Sequence, residues 1–273
     1  MSFLAEHWSL LVAIVAAGVS GGLLAGLLGV GGGIIIVPVL FVVLTTLGID
    51  DGIAMKVAVA TSLSTIAFTS LSSARSHSKR GATDMALFRA WLVPIVIGVV
   101  LGTVTGGLVD GRVLTLVFAI VAVLVATNMF LRRNAEPLAS DFPNVWVKRL
   151  CGALVGFISA LMGIGGGTLS VPILTSVGYD MRRAVGTSSA IGFLIAIPAT
   201  LGYIIAGLGQ AGLPPLSLGY LNILAALALV PLTMLFAPLG ARIAHAIPRP
   251  TLQLAFAIFL LLTACRMFYS LVA

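Results

Sequence analysis

Two stretches of the chain could hold a ligand by its oxygens. They are LLGVGGGIIIVPVL, residues 27–40, and LMGIGGGTLSVPIL, residues 161–174. Each sets three consecutive glycines inside an apolar run that then resumes. Where such a run restarts as a helix, its first N–H groups lack intrahelical partners and carry the positive end of the helix dipole. That is the chemistry of an anion site. Gly31, Gly32 and Gly33, and Gly165, Gly166 and Gly167, have no Cβ to keep a ligand off the backbone. The restarted arms are expected to begin at Ile34 and Thr168, and Pro38 and Pro172 loosen the pairing a few residues on. Hydroxyls that can donate to an oxyanion follow at Thr61, Ser62, Thr187, Ser188 and Ser189, expected in the first turns of the next apolar segments. Thr168 and Ser170 add two more at the second block, where the first has Ile34 and Ile36, so the second is the more polar.

Both features have a competing structural role. Glycines let helices approach closely and hydroxyls bond between helices. The spaced sets Gly18/Gly22/Gly26, Gly98/Gly102/Gly106 and Gly152/Gly156 are assigned to close packing. The two consecutive triplets are assigned to a site, because a glycine run in a helix interior costs about 1 kcal/mol per residue. In a bilayer, broken backbone is tolerated only where it is buried in protein or lines a cavity.

The elements that must position these residues are membrane helices. Of the 273 residues 60% are hydrophobic and 8% charged, with a mean hydropathy of +1.19. Soluble domains carry about a quarter charged residues. Apolar runs of about 20 residues, enough to span, fill nearly the whole sequence. The alternating period of a membrane barrel is absent. Expected segments cover about residues 10–47 (broken at 29–33), 53–71, 86–109, 113–131, 150–178 (broken at 165–167), 184–208, 220–239 and 252–271. Between the fourth and fifth lies the polar linker RRNAEPLASDFPNVWVKR; residues 209–217 read as a turn.

The chain repeats itself. The two glycine blocks stand 134 residues apart, and Val59-Ala60-Thr61-Ser62 matches Val185-Gly186-Thr187-Ser188. Phe118-Ala119-Ile120 matches Phe256-Ala257-Ile258. The expected organisation is an N-terminal membrane repeat, 1–133, a cytoplasmic linker, 134–147, and a C-terminal membrane repeat, 148–273. Charge orients the repeats. If each broken segment enters and returns on one side, the second repeat is inverted, and only Lys56, Arg112 and Arg266 of the 15 basic residues lie outside. Eight simple crossings divide them 9 to 6. Cytoplasmic loops carry the excess of Lys and Arg, which favours inversion. The arms of the second broken segment, about 15 and 11 residues, reach about 16–22 Å at 1.5 Å per residue, short of a core of about 30 Å.

Other chemistry is not signalled. The +7 charge lies in short loops and sets orientation, not nucleic-acid binding. Cys151 and Cys265 form no CxxC and are expected to be packing residues. The glycines fail G-x-G-x-x-G, no HExxH or GxSxG occurs, and neither an enzyme activity nor a cofactor is expected. No Asp or Glu falls within a span, so a sodium site or carboxylate relay has no candidate, leaving proton-linked movement and uniport both open.

The twin GxGGG-x3-VP-x-L blocks, each followed by an AxGTS-like segment, resemble the TauE/SafE family of sulfite exporters and related sulfonate permeases. The G-x-x-D step from Gly81 to Asp84 also looks like that family. The resemblance runs over essentially the whole chain, with Ala60 standing where the first AxGTS usually has glycine. It implies an eight-segment permease of small sulfur-containing anions, in several members outward. The expectation is therefore an all-α polytopic protein of the inner membrane, two inverted repeats of a re-entrant hairpin plus three spanning helices. It would work as a secondary transporter for sulfite or organosulfonates, with an anion channel as the alternative and a homo-oligomer compatible with the sequence. Substrate would sit between the triplets, Ile34, Thr168 and the hydroxyls.

Overall fold

The computed structural model describes residues 8–28, 31–79, 81–131, 138–243 and 249–272. Gly29, at the start of the first break, and residues 134–137 of the linker lie outside them. The described residues form ten helices: α1 Trp8–Leu28, α2 Gly33–Thr46, α3 Asp51–Ser78, α4 Met85–Leu108, α5 Gly111–Leu131, α6 Val145–Met162, α7 Gly167–Ser176, α8 Met181–Ala206, α9 Ile223–Ile243 and α10 Arg249–Val272. A hairpin of two-residue strands, β1 Ser217–Leu218 and β2 Leu221–Asn222, precedes α9. Six of the helices, α3, α4, α5, α6, α8 and α9, are long and apolar enough to cross a membrane. The chain is a multi-pass membrane protein.

Short polar side chains set where helices start. Asp50 accepts from the N–H groups of Gly52 and Ile53, Asp84 from Leu87, Asn144 from Val147, Asp180 from Arg182 and Asn222 from Ala225. Each such cap is worth about 1 kcal/mol.

Helix α3 is the central element. Burial covers 72% of its apolar stretch, against 22–39% for the other candidate spans. It packs along α8, α2 and α9. Around it the largest contacts keep their pattern when the first five helices are exchanged with the last five. Helix α1 lies on α9 as α6 lies on α4, while α3–α8 and α5–α10 map onto themselves. The spaced glycines make these crossings possible, as their spacing suggested. A Cβ at Gly22 would lie 2.8 Å from the Thr233 carbonyl oxygen of α9, and one at Gly102 would lie 2.6 Å from that of Phe157 in α6. Gly98 and Gly156 face the carbonyls of Ala153 and Ile95 as closely.

Both glycine triplets interrupt the helix. In an unbroken helix residues 21 and 32 would stand about 16 Å apart along the axis. Here a Cβ at Gly32 would lie 2.5 Å from the Gly21 carbonyl oxygen, so the chain turns back on α1. Gly31 and Gly32 make the turn at φ 77° each, a left-handed conformation open to glycine. In the second break α6 ends on Gly163 at φ 66°, and α7 starts at Gly167. The chain ahead of α6 touches the end of α7. The N–H of Leu138, before α6, donates to the carbonyl of Ser176, the last residue of α7, at 2.8 Å.

Four expectations need correction. The restarted arms begin at Gly33 and Gly167, each one residue before Ile34 and Thr168. The first arm of the second broken segment has 18 residues, not about 15, because Asn144 caps a helix running through the charged end of the expected linker. It is thus one of the six helices long enough to span, whereas the 10 residues of α7 are not. Thr61 and Ser62 lie about three turns into α3, already eight residues past the start of its apolar run, and Thr187 and Ser188 about two turns into α8, which starts three residues before its run. The seventh segment becomes helical at Ile223 rather than at about 220, because a small hairpin at 217–222, too short to leave an alternating pattern, follows the expected turn.

Candidate functional site

The two breaks meet at the centre of the helical array. A Cβ at Gly31 would lie 3.5 Å from Gly165 Cα, and one at Gly33 would lie 2.5 Å from the Gly163 carbonyl oxygen. Helices α3 and α8 hold them there. Ile66 of α3 covers Gly31 and Gly33, and Ser62 Oγ donates to the Gly163 carbonyl at 2.7 Å. Across the junction Gly166 sits against Ile191 and Gly192 of α8, and Gly192 against Ser70 Oγ. Part of the glycine requirement is therefore packing. A leucine at Gly32 would meet both the left-handed backbone and the Gly21 carbonyl, so such a variant disturbs the fold as well as any site.

Packing does not account for the helix starts. Helices α2 and α7 begin at the junction, with Gly32 and Gly166 as the preceding residues, and no side chain caps either one. The five caps described above are all Asp or Asn. Residues 31–34 and 165–168 are buried throughout. A buried helix end without partners for its N–H groups is costly. Two such ends come close to one another here, and each carries the positive end of its helix dipole.

The hydroxyls divide into two kinds. Thr168 and Ser170 of α7, Ser188 of α8 and Ser159 of α6 are buried, and none has a hydrogen-bond partner for its side chain. A buried hydroxyl left unpaired costs about 1–3 kcal/mol, and four of them belong to the helices that meet at the second break. At the first break Ser62, Thr65 and Thr69 are all bonded, and Ile34 and Ile36 bring no polar atom. The second break is thus the polar one.

Thr61 and Thr187 belong to the second kind. Thr61 Oγ1 accepts from the N–H of Asn222 at 3.1 Å, and Thr187 Oγ1 accepts from the N–H of Asp84 at 2.9 Å. Asn222 and Asp84 are the caps of α9 and α4, so each hydroxyl fastens the start of a helix from the other end of the chain. The same join explains Gly186, whose missing Cβ admits the Ala82 carbonyl. The AxGTS-like and G-x-x-D sequences are two sides of one contact. Asp84 also pairs with Arg183 at 3.1 Å and accepts from Tyr179 Oη at 3.2 Å. Burial alone would raise its carboxyl, but the Leu87 N–H, Arg183 and Tyr179 outweigh that and hold it below the ordinary carboxylate range. Burial first, and then the Asp84 charge, push Tyr179 up to about 12. Thr61→Val or Thr187→Val strands a backbone N–H, and each is expected to cost about 1–3 kcal/mol. Thermal unfolding in detergent checks this; an unchanged midpoint would show that the join carries no load.

The sequence left Asn222 and Ser159 unremarked. Asn222 was detectable, since an Asn directly before an apolar run is a helix-start signal. Ser159 gave none. Among the described residues no group of three His, Cys, Asp or Glu side chains could hold a metal ion, and both cysteines are free.

Curated relatives match most of the chain. A probable membrane transporter protein of Haemophilus influenzae is 31% identical over 251 residues, covering 92% of this chain and 95% of the relative. The probable membrane transporter protein YunE of Bacillus subtilis is 28% identical over 95% of this chain and 97% of its own. A probable membrane transporter protein of Methanocaldococcus jannaschii is 28% identical over 74% and 75%. No solved structure matches the chain significantly. The model of the sulfite exporter TauE/SafE family matches residues 14–267. With that match over nearly its whole length, the chain belongs to the TauE/SafE family of membrane transporters.

Proposed function

We propose that the chain is a secondary transporter that carries sulfite or an organosulfonate outward, with the anion bound where the glycine breaks meet. The observation that carries this is the pair of buried, uncapped helix starts beside unpartnered hydroxyls. Sulfite and sulfonates both present three oxygens on one sulfur, and the site offers donors of two sorts to them. Backbone N–H groups come from Gly31, Gly32, Gly33 and Ile34 and from Gly165, Gly166, Gly167 and Thr168. Side-chain donors come from Thr168, Ser170 and Ser188. Ser62, Thr61 and Thr187 hold the frame. No cation is needed within the site, because two helix dipoles supply the positive potential.

The inverted arrangement of the halves, 1–133 and 148–273 about a cytoplasmic linker, is part of the same reading. Three contacts support it. Eight simple crossings would put Asp84 and Arg183 on opposite faces, about 30 Å apart, yet they lie 3.1 Å apart. The same scheme separates Leu138 from Ser176, and Lys56 from the Tyr220 ring that its Nζ overlies at 5.3 Å. With both broken segments re-entrant, every one of these pairs falls on one side. In a cysteine-free background, Ser140→Cys and Arg182→Cys are expected to react with an impermeant maleimide from the same face, and Gln210→Cys from the other. Labelling of Arg182→Cys from the face opposite to Ser140→Cys would overturn the inverted scheme.

Function is tested by flux from proteoliposomes loaded with sulfite, sulfate, thiosulfate, sulfoacetate or taurine, with and without a pH gradient. Saturable flux of sulfite or a sulfonate, accelerated by the same anion on the opposite side, is the expected result. Flux without such acceleration, and with large single-channel currents, would make the protein an anion channel. No flux of any of these anions would remove the proposal.

A further inference from the structure

A cleft of about 350 Å³ opens between α3 and α9, away from the glycine breaks. Its walls are Phe68, Leu71, Ser72, Arg75, Ser76 and Lys79 of α3 and Met234 of α9. The α3 residues fall on two adjacent rows four apart, 68–72–76 and 71–75–79, so one helix face grades from apolar to cationic. That grading has a length. Phe68 and Lys79 are separated by about 16 Å along the axis at 1.5 Å per residue. The 28 residues of α3 reach about 42 Å, some 12 Å more than a hydrocarbon core. Its first turns lie near the opposite face, where Lys56 reaches the Gly107 carbonyl at 2.9 Å. Phe68 and Leu71 are thus at the depth of acyl chains, and Arg75 and Lys79 at the depth of headgroups. Neither cation takes part in an ion pair among the described residues, and Phe68 and Met234 are 51% and 40% exposed.

We infer that this cleft is a binding site for an anionic phospholipid. Its phosphate lies between Arg75 and Lys79 with Ser72 and Ser76 as hydroxyl donors, and one acyl chain runs over Leu71, Phe68 and Met234. A free inorganic anion would gain from the two cations but nothing from the apolar wall of Phe68, Leu71 and Met234. Basic clefts between membrane helices bind anionic headgroups on this principle. The site needs only that the chain spans a bilayer, and it stands or falls apart from the proposed substrate.

The test uses the full chain in a neutral detergent. Adding dioleoyl phosphatidylglycerol is expected to raise the unfolding midpoint, on the order of 5 °C at lipid well above its dissociation constant. Phosphatidylcholine with the same chains, and sodium phosphate, should leave it unmoved. Arg75→Gln/Lys79→Gln should abolish the response. So should Ser76→Trp, which fills the cleft and keeps both charges. An equal rise with phosphatidylcholine, or a rise retained in both variants, overturns the site. A rise with sodium phosphate alone overturns the lipid as its occupant.

Discussion

Replacing Thr168 with valine is expected to cut anion flux by about tenfold to a hundredfold while leaving the unfolding midpoint unchanged or raised. The two halves of that expectation have one cause. Thr168 Oγ1 is buried and unpartnered, so in the empty protein its removal breaks no hydrogen bond and relieves the desolvation of a hydroxyl, about 1–3 kcal/mol. Valine has nearly the shape of threonine, so no cavity forms. With an oxyanion bound, the same hydroxyl would donate a charge-assisted bond worth about 1.5–3 kcal/mol, and each 1.36 kcal/mol is tenfold in rate. Ser188→Ala should behave alike. Thr103→Val is the control, because Thr103 bonds to carbonyls of its own helix and should affect neither readout by much. A higher midpoint with full flux would reduce the unpaired hydroxyls to a packing defect. Flux and midpoint falling together would make Thr168 structural.

This test could not have been designed from the sequence, although its residues were visible there. The glycine triplets announced themselves because they break a rule of apolar helices, and the arms resume within one residue of where the pattern put them. Gly98, Gly102 and Gly156 were readable as crossing points because their spacing is itself the geometry of a helix face. Thr61 and Thr187 were not readable in the same way. A hydroxyl that accepts a backbone N–H from a residue more than a hundred positions away leaves the same letters as one that waits for a substrate. Thr168 shows the converse, since its want of a partner is a property of the folded surroundings. Charge misled once. Lys148 and Arg149 made residues 145–149 read as linker, when the Asn144 cap and the outward face of α6 allow them in a helix.

Gly33→Ala is expected to suppress transport more severely than its loss of stability accounts for. Residue 33 is not among the glycines at positive φ, so the added methyl strains no backbone torsion. It would instead meet the Gly163 carbonyl oxygen at 2.5 Å, Ile66 Cδ1 at 2.7 Å and Ser62 Oγ at 2.8 Å. The two side chains can shift. The carbonyl belongs to the opposing break and is held by Ser62, so relief requires the breaks to part by several tenths of an ångström. Overpacking of this kind costs about 1–3 kcal/mol. The fitting control is Gly48→Ala, at φ 82° in open space, where left-handed strain alone costs about 1–2 kcal/mol. The two variants should therefore melt within a few degrees of each other, both below wild type. They should differ in response to ligand. Sulfite, or whichever anion the flux measurements select, should raise the midpoint of Gly48→Ala as it does wild type and leave Gly33→Ala unmoved. The reason is geometric, since donors on the two breaks can converge on one anion only at their native separation. If Gly33→Ala kept both its flux and its stabilisation by ligand, the junction would be a packing contact and the binding site would have to lie elsewhere.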